Sequence, residues 1–208
     1  MSETKKLYFS KGKIKVKAKG YWFSSGGEKG SFGYYPHLKN EKNFPIYPDT
    51  QIHGDIRMSA EKLAKCDKSI TSEIIDIVFG KKNGGNISGT LYLKDLEVSD
   101  PNTLNNNIFS IKPKTEINEL TRTNKKNMLV YLELAYLEDI ELETELFLGY
   151  FNSEDDLKNA KKMIESSVNF LSGFGAFRSR GCGRIKDRVF EWTDRKSTRL
   201  NSSHGKLS

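Results

Sequence analysis

Twelve consecutive residues hold the densest chemistry in the chain: Gly173-Phe174-Gly175-Ala176-Phe177-Arg178-Ser179-Arg180-Gly181-Cys182-Gly183-Arg184. Four glycines permit positive φ and close backbone approach. Successive exposed N–H groups in such a loop can form an anion-binding nest. Arg178, Arg180 and Arg184 add fork-shaped, charge-assisted donors suited to phosphate. Phe174 and Phe177 can stack on bases or anchor the loop. The bland alternative is a mobile turn, but a plain helix-to-strand connection takes roughly 2–6 residues. The excess length points to phosphate binding by Gly173, Gly175, Arg178, Ser179, Arg180, Gly181, Gly183 and Arg184.

A second cluster is Phe44-Pro45-Ile46-Tyr47-Pro48-Asp49-Thr50-Gln51-Ile52-His53-Gly54-Asp55-Ile56-Arg57. An extended segment turns sharply at Pro48 into a helix capped by Asp49 or Thr50. His53 and Arg57 are four apart and so share a helix face. Helix N-termini attract phosphate through free N–H groups and the macrodipole. Gly54 costs that helix about 1 kcal/mol against Ala, which close passage of another backbone or a ligand explains. The alternative is an ordinary capped core helix. Cys66, Cys182, His37 and His53 lack zinc-ligand spacing. Arginines beside Cys182 can lower its thiol pKa.

The elements that must position these clusters follow from periodicity. Residues 6–23 read as a strand, with Ile14, Val16 and Ala18 alternating against Lys13, Lys15, Lys17 and Lys19. Residues 24–43 form a glycine-rich loop. A helix runs from about 49 to 64, and Ser72 caps a second over 73–79. Residues 83–86 are a turn, 87–98 a strand and 108–127 an irregular stretch. Residues 128–137 and 140–151 predict a hairpin, the first arm central because it is apolar on both faces. Ser153 caps a helix with apolar residues at 157, 160, 164, 168 and 171, and 184–192 is the last strand. The order β, α, β, β, α, β is the split βαβ pattern, an α+β ferredoxin-like fold. Glu141, Glu143 and Glu145 line one strand face, which is expected to be solvated or to meet a neighbouring subunit's lysine row.

The length of 208 residues suits a single domain. Twenty-three aromatics, 29% charged residues and a mean hydropathy of −0.61 describe a soluble folded chain. No apolar run is long enough for a membrane helix, and residues 1–6 lack a secretory signal. Two cysteines make no disulfide framework, so a cytoplasmic location without a membrane partner is expected. Residues 194–204 read, residue for residue, as a translated short-read sequencing adapter, and 205–208 extend it. The native domain is therefore taken as 1–193, and 194–208 are set aside as non-native. Removing them discards four basic residues and one acid and lowers the formal charge from +7 to +4.

The two clusters together resemble the RAMP superfamily of CRISPR-associated proteins, most of all the backbone subunits of type III interference complexes. Family members pair an IPGSSLKGxxR-like segment, here 46–57, with a late GxGxxRSRGxGR loop, here 173–184. Val78-Phe79-Gly80, Thr121-Arg122-Thr123 and Tyr131-Leu132-Glu133 resemble shorter family stretches. The first motif departs from the pattern: Asp49 and Thr50 replace Gly and Ser, and His53 replaces Lys. The resemblance implies a ferredoxin-like (RRM-like) palm that binds CRISPR guide RNA and complementary target RNA and stacks with sister RAMP subunits. It implies an RNA contact for Arg57 and His53, and a thumb-like β-hairpin in an insertion over roughly 99–127. Tyr21, Trp22, Phe23, Phe32, Tyr34 and Tyr35 could stack on RNA or fill the core.

Some relatives cut target RNA with an Asp after the first strand. Residues 24–44 contain no Asp, and Glu28 and Glu41 are their only acids. Metal-assisted cleavage needs a hard oxygen ligand near the scissile phosphate, so a non-catalytic RNA-binding subunit without a cofactor is expected, with Mg²⁺ needed only if target cleavage occurs. Glu28 is the candidate ligand for that case. The alternative is a metal-independent, guide-processing endoribonuclease in which His37 activates a 2′-hydroxyl, assisted by Tyr34 or Tyr35.

Overall fold

A computed structural model describes residues 6–27, 33–81, 88–104, 108–114 and 129–199, with Lys6 and 194–199 as backbone alone. Strand β1 (Lys6–Trp22) forms where apolar and lysine residues alternate, and Ile14, Val16 and Ala18 are buried. The expected hairpin of 128–137 and 140–151 is instead one strand, β6 (Val130–Phe151). Both halves pair antiparallel with β1, since Lys19 opposes Glu138 and Ala18 opposes Ile140. Asp139 is the extra residue of a bulge, at φ 55°. A bulge bends a strand rather than reversing it, and the short Asp side chain tolerates the left-handed region. Across β1, strand β7 (Arg184–Arg199) bulges at Lys186, because Lys17 opposes Asp187 and Ala18 opposes Ile185. Lys186 Nζ lies 2.6 Å from Asp139 Oδ1, so the two bulges hold each other.

β6 is the hub of the sheet. One edge pairs with β1 and, in parallel, with β2 (Tyr34–Tyr35). The other edge pairs antiparallel with β3 (Leu91–Leu93), β4 (Glu97–Val98) and β5 (Phe109–Lys114). The expected strand over 87–98 is therefore two short pieces, with Lys94 and Asp95 between them. Lys114 opposes Val130, so β5 pairs with the start of β6. Much of the insertion expected to hold a thumb-like hairpin lies outside the described residues, as do the turn over 83–86 and the resemblance at 121–123.

Helices α1 (Asp49–Leu63), α2 (Ser72–Phe79) and α3 (Glu154–Phe170) cover one sheet face. Ile52, Ile56, Val78, Ile164 and Val168 share one core with Ile14, Val16, Leu142 and Leu146. Ser153 caps α3 as expected, its hydroxyl accepting from the Asp155 N–H at 3.1 Å. α2 starts one residue early, and its cap is Thr71 instead of Ser72. The result is a mixed α+β fold, with a seven-stranded sheet and these three α-helices among the described residues.

The opposite face carries the lysine and glutamate rows side by side. Lys13 opposes Glu145, Lys15 opposes Glu143 and Lys17 opposes Glu141. Lys13 Nζ is 3.5 Å from Glu143, and Lys15 Nζ is 2.7 Å from Glu191 on β7. The acidic row is on a solvated face, one of the two expectations, and there it meets this chain's own lysines. Cross-strand register places the charges together, and neither row alone reveals it. Reversing Lys13→Glu is expected to lower the melting temperature of the monomer, and adding Glu143→Lys to restore it. The difference should vanish in about 1 M salt, where the screening length is about 3 Å.

Candidate nucleic-acid interface

The turn into α1 is closed rather than open. Pro48 is its N-cap and offers no side-chain cap, so neither Asp49 nor Thr50 plays that part. The Asp49 N–H donates to Asp95 Oδ1 at 2.8 Å, and the Thr50 N–H to Asp49 Oδ1. A carboxylate from the β3–β4 connection therefore occupies the positive helix end expected to hold phosphate. Nothing in the local sequence marks Asp95 for this.

His53 and Arg57 are also committed within the chain. His53 meets Phe79 edge-on at 5.2 Å, and burial, then the charge of Arg57, pushes its pKa down. Arg57 places Nε 3.0 Å from Glu61 Oε1 and Nη2 3.6 Å from Asp76 Oδ1. Its Nη1 donates to the Phe79 carbonyl, and the side chain is only 14% exposed. This arginine ties α1 to α2. A Cβ on Gly54 would meet nothing within 4 Å, so the backbone expected to pass there is not this chain's own.

The link between the two motifs is Asp55, on the buried side of α1. Its Oδ2 accepts from the Tyr47 hydroxyl at 2.7 Å, and its Oδ1 lies 3.0 Å from Arg178 Nη1. Asp55 is 6% exposed. Burial, then the hydrogen bond to Asp55, pushes the Tyr47 phenol far up, so it stays protonated. Charge-assisted bonds of this kind are the strong ones, and removing either partner strands a charge. Sequence reading passed over Asp55 and Tyr47. Their eight-residue separation spans an extended segment and a helix turn, and no periodic template joins them.

Arg178 in turn fixes the loop. Backbone N–H groups of Phe174, Ala176, Arg180, Gly181, Cys182 and Gly183 all donate to carbonyls of this chain. These N–H groups of the loop are therefore committed to the chain's own backbone. Three of its glycines face protein instead. A Cβ on Gly183, at φ 61°, would lie 1.9 Å from the Phe174 carbonyl oxygen. On Gly175 it would meet Phe23 and Trp22, and on Gly173 the Gly183 backbone. Only Gly181, at φ 82°, faces open space among these four. Phe174 is buried in the core against Trp22, with ring centroids 5.0 Å apart. Burial pushes the Cys182 thiol up, against the lowering its arginine neighbours suggest.

What the loop does present is side chains. Arg178, Ser179, Arg180 and Arg184 are exposed. Arg178 keeps only one arm on Asp55. Beside them stands β5, with Lys114 Nζ 4.2 Å from the centre of the Phe177 ring and Arg180 5.9 Å from it. Lys112 Nζ lies 5.4 Å over Tyr21, which meets Tyr136 at 5.1 Å. Phe23, Leu132 and Leu134 form a small separate core, and Tyr35 and Phe177 pack on it. Cations and half-open rings thus meet where the loop lies against β5.

The aromatics near the first loop divide. Trp22 and Phe23 are core, Tyr21 is exposed, and Tyr34 and Tyr35 are half-buried on β2. Phe32 and Glu28 lie outside the described residues. His37 is 2% exposed, its Nδ1 accepting from the Ser24 N–H at 3.4 Å. Its backbone N–H donates to buried Glu133, which also holds Lys39 at 2.8 Å. Trp22, Phe23 and Phe109 enclose the ring, so His37 sits in the core of this structure. No cluster of His, Cys, Asp and Glu among the described residues could hold a metal ion. No helix among them is long and apolar enough to cross a membrane.

Residues 15–186 match the family model of the RAMP superfamily. No curated protein matches the chain in sequence. Among solved structures, the chain is similar to one in the cryo-EM structure of the type III-B Cmr-beta bound to cognate target RNA. The TM-score is 0.59 at 14% identity, over 88% of this chain and 61% of that one. This chain therefore spans about three fifths of the length of that neighbour.

Two outcomes are expected from this geometry. Asp55→Ala costs about 2 kcal/mol in urea unfolding, less than a fully buried pair because Arg178 is partly in water. The double variant Asp55→Ala/Arg178→Ala should cost less than the sum of the singles. Burial, then the charge of Lys39, holds the His37 pKa down at about 3. Protons then favour the unfolded chain, and stability falls as pH drops from about 6.5 towards 3, by at most about 1.4 kcal/mol per unit. His37→Asn should flatten that slope between about pH 7 and 4.5, measured as the shift in urea midpoint.

Proposed function

The chain belongs to the RAMP superfamily, and from that premise we propose that it is a guide-RNA-binding backbone subunit of a type III RNA-guided antiviral effector complex. The observation that carries the reading is the convergence of Arg180, Lys112 and Lys114 with the rings of Phe177, Tyr21 and Tyr136, with Arg184 exposed at the end of the same loop. Single-stranded RNA is held by such basic, aromatic surfaces, with little base readout. The similar solved chain belongs to a complex bound to target RNA. Guide RNA, complementary target RNA and sister RAMP subunits are the partners in this reading, in the cytoplasm.

The palm is ferredoxin-like in this proposal. Its support is the order β3/β4, β6, β1, β7, with the α1–α2 pair and α3 as crossovers on one face. Residues 1–193 are the native domain and 194–208 the translated adapter. β7 pairing continues to Arg199 because ladder hydrogen bonds are made by backbone and accept almost any residue. Gly173, Gly175, Gly181 and Gly183 set the loop's path, Arg178 anchors it, and Ser179, Arg180 and Arg184 hold phosphate. His53 and Arg57 act as scaffold for α1. The subunit binds RNA without cutting it, and Mg²⁺ enters only if a complete assembly cleaves its target.

Anisotropy titration with single-stranded RNA over a salt series tests this. The triple variant Arg178→Ala/Arg180→Ala/Arg184→Ala should bind more weakly and lose about 1.4 from the slope of log K against log salt, since Arg180 and Arg184 are the phosphate contacts, each contributes about 0.7, and Arg178 is engaged with Asp55. Wild-type binding that ignores salt, or a triple variant with an unchanged slope, would refute the reading.

A further inference from the structure

We propose that Tyr21 and Tyr136 form a stacking step for the nucleobases of single-stranded RNA, separate from the loop arginines that take its phosphates. The inference rests on the reading above and names the part of the ligand that this end of the surface takes. The two residues oppose each other on β1 and β6. Their ring centroids are 5.1 Å apart at 61°, an edge-to-face pair. Tyr21 is 37% exposed and Tyr136 42%, so both residues keep part of their surface in solvent. Tyrosine suits such a place, because one end of its ring is apolar and the other wet, and it is enriched at interfaces.

The pair is held rigidly. The Tyr21 carbonyl accepts the Gly183 N–H at 2.7 Å, which ties the step to the phosphate loop. The Tyr136 N–H donates to the Ile108 carbonyl at 2.7 Å, which ties it to the start of β5. Asp139 and Lys186 hold the adjacent bulges, fixing where Tyr136 falls relative to β1. A preformed platform loses little side-chain freedom on binding.

The occupant follows from charge. Lys112 lies over Tyr21, and Lys114 and Arg180 flank Phe177, so the rings are set among cations. An apolar protein segment gains nothing from those cations. A chain of flat bases joined by anions uses both the rings and the charges, and stacking tolerates any base because every base has a π-face. A duplex has its bases already stacked, so the step favours single strands.

The test compares the full chain's affinity for an oligouridine with its affinity for an abasic ribose-phosphate strand of equal length. Tyr21→Ala and Tyr136→Ala should each weaken oligouridine binding roughly 5- to 100-fold, by the usual range for one stacked base, and leave abasic binding unchanged. Tyr136→Phe should bind like wild type. Tyr136→Leu, which keeps apolar bulk without a π-face, should bind like Tyr136→Ala, guarding against a fold defect. Equal losses on both strands, or no loss on oligouridine, would overturn the inference. The phosphate reading fails separately, if the triple arginine variant binds the abasic strand as well as wild type does.

Discussion

The carboxylate of Asp55 is the joint on which the site depends. It sits on α1, accepts from Tyr47 in the segment before that helix, and meets Arg178 in the late loop. The segment before α1, α1 itself and the distant late loop are thereby fixed to one buried group. Within the core a charge is tolerable only when paired and hydrogen-bonded. Here the pairing runs from the helix layer to the loop, so the loop cannot drift from the sheet without exposing a stranded carboxylate. The tight glycine contacts at 173, 175 and 183 then follow, since the two limbs of the loop must pass almost in contact.

Charge is distributed to the same end. The lysines of β1 are numerous, but opposite glutamates on β6 neutralise most of that row. Arg57, the expected anion contact, bridges two helices. The helix N-terminus holds Asp95. On the loop and β5, by contrast, cations stand against rings, and the proposal places the polyanion there. Binding in this account is a matter of location more than of total charge, which is only about +4 for residues 1–193.

Much of this was legible in the sequence. Alternation marked β1, helical spacing marked α1 and α3, and Ser153 marked a start. The glycine-arginine loop was recognisable by composition, although its glycines serve the chain's own backbone more than a ligand. The misses share one cause, which is long-range register. Glu138-Asp139 looks like a turn, and only pairing with β1 makes it a bulge. The fate of the lysine row, the anchoring of Arg57 and the cap from Asp95 all depend on partners in other elements. Tyr136 looked like part of an apolar strand until its neighbour across the ladder proved to be Tyr21.

The most direct measurement is photocrosslinking of the wild-type chain to a single-stranded RNA carrying 4-thiouridine throughout, with adducts mapped by mass spectrometry. The account predicts adducts at Tyr21, Tyr136, residues 109–114 and residues 173–184. Adducts confined to the outer surfaces of α1, α2 and α3, or to the lysine–glutamate ladder, would contradict it.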